Sequence, residues 1–437
     1  MALKPRNALH SPGHLKAAPP SLPVDHTWRL RWLLAAPHRL AFFGAAMVLS
    51  FSALWWSYVL FARAQGLALP WALAPANAHA LVMTFSFMPL FIAGFLFTAG
   101  PKWLGLPAVP ARQLLAPVLA SLVGWGLGVP GFHQSALLAA AGMAVVALAW
   151  TAVTGKFLAL WRKSRAADKV HTTVVVYAAS AGVLAMWVAA LGLASGQARL
   201  VQSATQMALW MFIAPIFASV SHRMIPFFGA SAVPALDAWR PLWLLWCMVA
   251  VLGAEGLMAG VDLWWRPVPG ILRWLQVLLE GPAALLLLWL AIRWGLVQSL
   301  KIRLLAMLHG GFLWLGIALA LQATSHTLMA LSPNSLALGL APLHALTMGY
   351  LGVTMLAMTT RVASGHGGRP LAADNLAWTL YLVLQTAVVL RVLAALWVDA
   401  GTLPLLLAAT AWTLATCGWA LRYGRWLGRP RLDGRPG

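Results

Sequence analysis

Long apolar runs are the feature that most limits how this sequence can fold. They recur along the whole chain with short connections between them, and most approach the roughly 20 residues that a helix needs to cross a bilayer core. Charged residues make up 9% of the chain and hydrophobic residues 61%, whereas a soluble domain carries about 25% charged residues. Most of the outer surface must therefore face lipid. We expect an all-α, polytopic membrane protein whose surroundings are the lipid bilayer.

The runs predict about twelve transmembrane helices in one domain. No connection is long enough to form a separate soluble domain, so we expect a single helical membrane domain at residues 39–425. A basic, disordered tail is expected at residues 1–38 and a second basic tail at residues 426–437. The predicted spans are Leu40–Phe61, Ala78–Ala99, Leu114–Val129, Ser135–Thr154, Thr172–Leu193, Ala204–Val220, Leu242–Val261, Ile271–Ile292, Leu304–Leu328, Ala337–Thr359, Leu376–Val398 and Leu403–Leu421.

The basic residues predict the orientation of these spans. With the first residue in the cytoplasm, 25 of the 30 Lys and Arg residues fall in cytoplasmic segments and five fall outside. Cytoplasmic loops of membrane proteins carry such an excess of cations, so both termini are predicted to be cytoplasmic. Topology therefore accounts for the formal net charge of +21. We expect no nucleic-acid partner, because the cations form no folded face of their own.

Two spans begin with a shared pattern that predicts a haem site. The second reads HALVMTF from His79 and the tenth reads HALTMGY from His344, and Ala-Pro precedes both. Both spans run inward, so the two histidines are expected at the outer face, with Met83 and Met348 four residues on and on the same helix face. Haem iron commonly takes His or Met as axial ligands. The alternative is an interfacial histidine bonded to a carbonyl or water, with methionine as packing.

A second group of histidines is expected at the inner face. His222 ends the sixth span, His309 opens the ninth and His366 follows the tenth, and His171, just before the fifth span, belongs to the same group. His344 and His366 are 22 residues apart, which is about 33 Å along a helix, so they cannot share one metal. If the imidazoles of His222, His309 and His366 converge, they suit copper, with zinc as a competitor.

Three arginines accompany the inner histidines. Arg223, Arg361 and Arg369 could bind an anion such as a haem propionate through their guanidinium groups. The alternative is that they are ordinary cytoplasmic cations, since the orientation rule already explains them.

Two carboxyl groups lie within apolar runs. Glu255 and Glu280 are the only Glu residues of the chain, and both fall in the outer half of their spans. An ionisable group inside a membrane suggests a function such as carrying protons or contacting a substrate. A neutral, hydrogen-bonded glutamic acid is the alternative. No Walker, GxSxG or HExxH motif is present, which argues against an ATPase, an α/β-hydrolase and a zincin.

These segments resemble the NnrS family. The resemblance rests on the segment from His79 to Gly105, on SHRMIPFF from Ser221, and most specifically on GHGGRPL from Gly365 to Leu371. In number of spans it extends over nearly the whole chain beyond the N-terminal tail. It implies a multi-pass protein of the bacterial inner membrane that contains haem and copper and takes part in the response to nitric oxide or nitrosative stress.

The chain departs from the family pattern at the start of the second span. Many members resemble His-x-His-Glu there, whereas this chain reads Asn77-Ala78-His79-Ala80. One histidine and the glutamate are therefore absent, which is typical of a divergent subgroup.

Two classes of function remain open from the sequence. In the first, a haem at His79 and His344 binds nitric oxide or another small diatomic ligand, or passes an electron from a donor such as quinol; whether this is catalysis is left open. In the second, the protein is a secondary transporter or permease without a redox cofactor, and Glu255 and Glu280 line its path.

The predicted orientation can be tested by thiol labelling in intact cells. In a variant whose native Cys247 and Cys417 are replaced by Ala, Asp399→Cys should react with a membrane-impermeant maleimide from outside, because residue 399 is predicted in an outer loop. Arg165→Cys should react only after permeabilisation. The reverse pattern would contradict the orientation.

Overall fold

The computed structural model describes residues 27–265, 267–332 and 337–433. In this part of the chain the regular structure is helical, without strands, and twelve helices are long and apolar enough to cross a membrane, which confirms the predicted number of spans. Of the two predicted tails, residues 1–26 and 434–437 lie outside the described residues. The spans are α1 (Pro37–Ala64), α2 (Pro75–Trp103), α3 (Ala111–Gln134), α4 (Ala136–Lys163), α5 (Val170–Ala194), α6 (Ala198–Ala232), α7 (Leu242–Trp264), α8 (Gly270–Arg293), α9 (Arg303–Leu331), α10 (Ala341–His366), α11 (Asn375–Leu396) and α12 (Leu403–Leu427).

Proline marks the beginning of several spans. Pro37, Pro75, Pro342 and Pro404 lie in the first turns of α1, α2, α10 and α12. Proline suits this position because its fixed φ is compatible with a helix and its missing N–H would have no intrahelical partner there. Local sequence thus sets where the two helices that carry His79 and His344 begin.

Three helices form the centre of the bundle. Within an 18-residue apolar stretch of each span, the buried share is 78% for α2, 72% for α6 and 78% for α10, against 22% for α11 and for α12. Neighbours in sequence pack together around them, and α1 packs against α12. We call the end of the bundle where α1 is joined to α2 the outer end, following the predicted orientation, and the opposite end the inner end.

Each central helix is locally irregular. The helical hydrogen-bond pattern of α2 is interrupted at Ser86, while α6 is π-helical over Ala208–Ile213 and α10 over Ala345–Val353. Single π-helical turns occur frequently at functional sites. The predicted site histidines lie on these three helices, apart from His309 on α9.

The sixth span is longer than predicted. It extends over Ala198–Ala232, whereas the apolar run predicts Ala204–Val220. The added outer turns carry Gln202, and Gln206 follows within the predicted span; both amides line an internal cavity. A polar turn can therefore lie within the bundle, which a hydropathy pattern does not indicate.

The segment before α1 packs against the end of α12. The Arg29 backbone N–H donates to the Gly428 carbonyl at 2.8 Å, and the Trp28 indole donates to the Gly424 carbonyl at 3.2 Å. A 3₁₀ turn at Leu30–Ala35 then leads into α1. The inner ends of the first and last spans are thereby joined.

The α3–α4 contact depends on glycine. A Cβ atom at Gly142 would lie 2.5 Å from the Gly124 carbonyl oxygen and 2.6 Å from the Gly128 nitrogen. Gly142→Ala should therefore lower the free energy of unfolding by about 1–3 kcal/mol, because backbone cannot move aside as a side chain can. Thermal unfolding in detergent measures this effect.

Gly155 on the same helix is the matched control. A Cβ atom there meets nothing within 4 Å. Gly155→Ala should leave the melting temperature unchanged or raise it, because alanine favours helix over glycine. Equal losses in both variants would contradict the close α3–α4 packing.

Candidate functional site

The structure brings His79 and His344 to the same end of the bundle. His79 is the fifth residue of α2 and His344 the fourth of α10, and both are half-buried. The two imidazoles are close enough to interact electrostatically, and both also interact with the Arg391 guanidinium of α11. The paired motif of the sequence therefore corresponds to a spatial pair with a nearby cation.

The surroundings of His344 fix its tautomer. Its Nδ1 lies 3.0 Å from the Leu340 carbonyl oxygen, and a carbonyl only accepts, so Nδ1 carries the proton. The Nε2 lone pair is then available to a ligand. A histidine that binds a metal through one nitrogen usually donates the other N–H to a carbonyl or carboxylate in this way.

His79 is held by stacking. Its ring packs on the Trp56 indole with centroids 4.0 Å apart and planes inclined by 23°. Its Nδ1 is buried and has no hydrogen-bond partner within the described residues. Such an atom is uncommon, because most buried polar groups are paired, and it indicates a place where a ligand or water belongs.

Met83 and Met348 are half-buried and pack against the hydrophobic core. Met348 lies within the π-helical part of α10, where the wider turn changes its direction relative to His344 from that of an α-helix. Thioethers at these positions can pack around a cofactor or fill space.

At the inner end, His222 pairs with His171 of α5. The His222 Nε2 donates to the Pro241 carbonyl at 3.1 Å, so its Nδ1 accepts a hydrogen bond from His171 Nε2 at 3.0 Å. The remaining nitrogen, His171 Nδ1, faces the Arg223 guanidinium at 3.4 Å. All four ring nitrogens thus have partners, and this pair has no free lone pair for a metal.

His366 pairs with His38 of α1, and their ring centroids are 4.7 Å apart. The His366 Nδ1 donates to the Val362 carbonyl at 3.2 Å. The Thr98 hydroxyl donates to the Gly94 carbonyl at 2.8 Å, so it accepts from His38 Nδ1, which is 3.4 Å away. Both Nε2 lone pairs are therefore available to a ligand.

His309 lies in a third setting. It is fully buried on α9, and neither ring nitrogen has a partner within the described part of the chain. The Thr354 hydroxyl is also buried and unpaired there, and it lies against Gly311, two residues from His309. Each of these unpaired groups suits a water molecule or a ligand with hydrogen-bonding atoms.

The three inner histidines therefore occupy separate surroundings. His222 contacts His171, His366 contacts His38, and His309 has neither as a partner. Among the residues that the structure describes, no three His, Cys, Asp or Glu side chains are grouped so that they could hold a metal ion.

Each of the three predicted arginines lies over an aromatic ring. The guanidinium carbons of Arg223, Arg361 and Arg369 are 4.9, 3.8 and 4.0 Å from the ring centroids of Trp103, Phe228 and Trp426, respectively. These cation–π contacts stabilise the charges at the inner end. His344 and Arg361 are on the same helix about 25 Å apart, so these arginines cannot contact a group bound at the outer pair.

The central helices are also linked by hydrogen bonds. The Tyr350 hydroxyl lies 3.1 Å from the Ser221 hydroxyl, which joins the π-helical segment of α10 to the residue beside His222. Nearer the outer end, the Gln202 amide of α6 donates to Asn77 of α2 at 3.3 Å.

Residues 32–431 match the family model described as NnrS protein. The chain belongs to the NnrS family. The match includes all twelve spans and every histidine described above. No curated protein matches the chain.

His38 and Arg391 were not predicted as residues of this NnrS-family site, and His171 was expected in the inner group but not as the partner of His222. His38 and His171 come from other spans, and only the packing of those spans reveals them as partners. Arg391 was counted only as an outer cation, yet it is the one charged residue of α11. An isolated charge inside a span was the signal that could have identified it.

The Tyr350–Ser221 link can be tested by a double-mutant cycle in the NnrS-family chain. Tyr350→Phe and Ser221→Ala should each lower the free energy of unfolding by about 1 kcal/mol, because each removes the hydrogen bond and leaves the other buried hydroxyl without its partner. The double variant should cost less than the sum by about 0.5–1.5 kcal/mol. Unfolding in detergent measures all four forms.

Thr416→Val provides the control. The Thr416 hydroxyl is buried but bonds within its own helix, to the Trp412 carbonyl at 2.8 Å. The change in unfolding free energy caused by Thr416→Val should simply add to the change caused by Tyr350→Phe. Full additivity in the Ser221 cycle would contradict the bond.

Proposed function

We propose that this multi-pass NnrS-family protein binds haem between α2 and α10 at the outer end of the bundle and acts in the response of bacteria to nitric oxide or nitrosative stress, in the inner membrane. The observation that carries the proposal is the pairing of His79 with His344 on two central helices. Family membership supports the cofactor and the biological setting.

The donor set at the outer pair fits a haem. His344 presents Nε2 because Leu340 holds its Nδ1–H, and His79 has a buried nitrogen without a partner. Trp56 fixes the plane of the His79 ring. Arg391 interacts with both imidazoles and supplies a cation suited to a propionate.

The protein's own residues would bind and orient the group. Haem iron supplies a site for nitric oxide or another small diatomic ligand and a one-electron redox centre. Leu340 and Trp56 hold the two imidazoles in place, and the Arg391 cation offsets negative charge in a medium of low dielectric constant. A donor such as quinol would supply electrons from the bilayer.

Copper is less well accommodated by the predicted ligands. Both His222 nitrogens are engaged, so that residue fits poorly. His38 and His366 offer two lone pairs, but Arg39, Lys102 and Arg431 interact with His366 and oppose a cation. We propose His366 with His38 as the inner pair to test for copper, because imidazole suits this metal.

A secondary transporter without a redox cofactor is the second candidate. A cavity of about 280 Å³ at the outer end supports it, because Glu255 and Asp262 line this space together with several amides. Ionisable residues around a cavity within a span mark many substrate paths.

The visible spectrum of the detergent-purified protein distinguishes the two candidates. Protein from cells supplied with haem and copper should show a Soret band, and both His79→Ala and His344→Ala should lose it because each would remove an imidazole that holds the haem. Metal analysis on the same sample should detect iron. A colourless, metal-free wild-type protein would refute the haem proposal and favour the transporter.

His133→Ala is the matched control. His133 also lies at the outer end, but its Nε2 accepts from the Trp55 indole at 3.0 Å and its Nδ1 donates to the Pro70 carbonyl at 2.9 Å. Both nitrogens are engaged, so this variant should keep the Soret band. Loss of the band in all three variants would indicate misfolding at the outer end instead of ligation.

A further inference from the structure

Three ionisable side chains meet inside the outer half of the bundle. Glu255 of α7, Glu280 of α8 and His326 of α9 are 3%, 0% and 4% exposed. His326 Nδ1 lies 2.8 and 3.0 Å from the two carboxylate oxygens of Glu280. The carboxyl groups of Glu255 and Glu280 face each other at interaction distance. We call these three residues the carboxyl–histidine cluster.

Among the residues that the structure describes, the nearby charges cannot neutralise both carboxylates. Arg273 forms an ion pair with Asp262 at 2.6 Å and also donates to Gln276 at 3.0 Å. This arginine is therefore largely engaged by a third carboxylate. Two facing carboxylates in a medium of low dielectric constant repel strongly, so one of the pair holds a proton.

The hydrogen bonds indicate which carboxyl group holds it. Glu280 accepts from the His326 N–H, which stabilises the charged form. Glu255 Oε1 is buried without a partner in the described part of the chain, which disfavours a charge there. The Gln322 amide nitrogen lies 3.4 Å from His326 Nε2 and can donate to it, which leaves the His326 proton on Nδ1.

A polar cavity adjoins the cluster. It has a volume of about 280 Å³, and Glu255 lines it together with the amides of Gln202, Gln206, Gln276 and Gln322. A space of this size with so many hydrogen-bonding groups can hold several water molecules. The cavity therefore provides a medium through which protons could reach Glu255.

The cluster is close to the outer end of the membrane domain. His326 lies five residues before the end of α9, and Glu255 nine residues before the end of α7. At helical rise these are depths of about 8 and 14 Å, well short of the full span. The cavity wall also includes Gly339 and Leu343, at the outer start of α10.

We propose that Glu255, Glu280 and His326 form a proton-binding site that exchanges protons with the outer side of the membrane through this cavity. In uptake, the Glu255 acid passes its proton to the Glu280 carboxylate, and a hydronium ion in the cavity returns a proton to Glu255 and becomes water. The cluster then holds one more proton, with both carboxyl groups neutral. Release reverses these steps. The site does not depend on a haem.

Labelling with a hydrophobic carbodiimide tests the resting state. A neutral carboxyl group adds to the carbodiimide, and the adduct increases the mass of the peptide by one reagent molecule. In reconstituted wild-type protein we expect the adduct on Glu255, with its yield falling as the pH is raised. The variant Glu255→Gln should lose it, whereas Asp399→Asn, which alters an exposed outer carboxyl group, should keep it. Wild-type protein without an adduct on Glu255 would refute a neutral, accessible acid there.

Infrared spectra in heavy water test the exchange path. The carbonyl band that is absent from Glu255→Gln should shift in wild-type protein once deuterium reaches Glu255. Ala259 lines the cavity, so Ala259→Phe should fill it and slow this shift severalfold. On the same helix, Ala250 is exposed towards lipid, and Ala250→Phe should not change the rate. A band that never shifts, or equal rates in both Phe variants, would overturn the proposed path.

Discussion

A bilayer offers no water to the polar groups inside it, so each such group in the bundle needs a partner within the protein, on its own helix or on another. His326 meets Glu280, His171 meets His222, and Tyr350 meets Ser221. These pairs join different spans and so fix the rotation of the helices as well as satisfying their polar atoms. Buried atoms without a partner in the described part of the chain, such as the His79 Nδ1 and both nitrogens of His309, are informative because most buried polar groups in proteins are paired.

The central position of α2, α6 and α10 follows from the same constraint. Each of these helices carries several buried polar side chains, such as Asn77 and Ser86 on α2, that must be shielded from lipid, while the outer helices α11 and α12 expose leucine and other apolar residues. The irregular segments of α2, α6 and α10 widen or break the helical turn, so these three helices depart there from regular α-helical geometry. At Gly349, within the π-helical segment, a Cβ atom would lie 2.6 Å from the Trp314 ring, so only glycine allows the indole to pack there.

The number of spans could be predicted because the hydropathy of a segment depends only on which residues the segment contains. Twelve spans and the NnrS family are confirmed, whereas the haem ligands that the shared motif predicts stay a prediction. The prediction is limited where the rotation of a helix about its axis decides which side chains meet. His38 and His171 were not recognised as partners, since nothing in the local sequence tells which helix faces them. The same reason explains why His222, His309 and His366, although all in the inner half, lie in three surroundings. The start of α6 was missed because its first turns contain polar residues, of which Gln202 lines the internal cavity.

The two polar centres at the outer end are placed so that their charges can influence each other. Gln202 lines the cavity beside Glu255 and donates to Asn77, two residues before His79, while Leu343 lines the same cavity one residue before His344. Charges inside a protein are screened less than charges in bulk water, so they interact more strongly. A negative charge gained near His79 and His344 would therefore favour proton uptake at Glu255 and Glu280, and a positive charge would favour release. The same linkage operates whether the charge arrives as an electron on a cofactor or with a transported solute, so the carboxyl–histidine cluster suits either function.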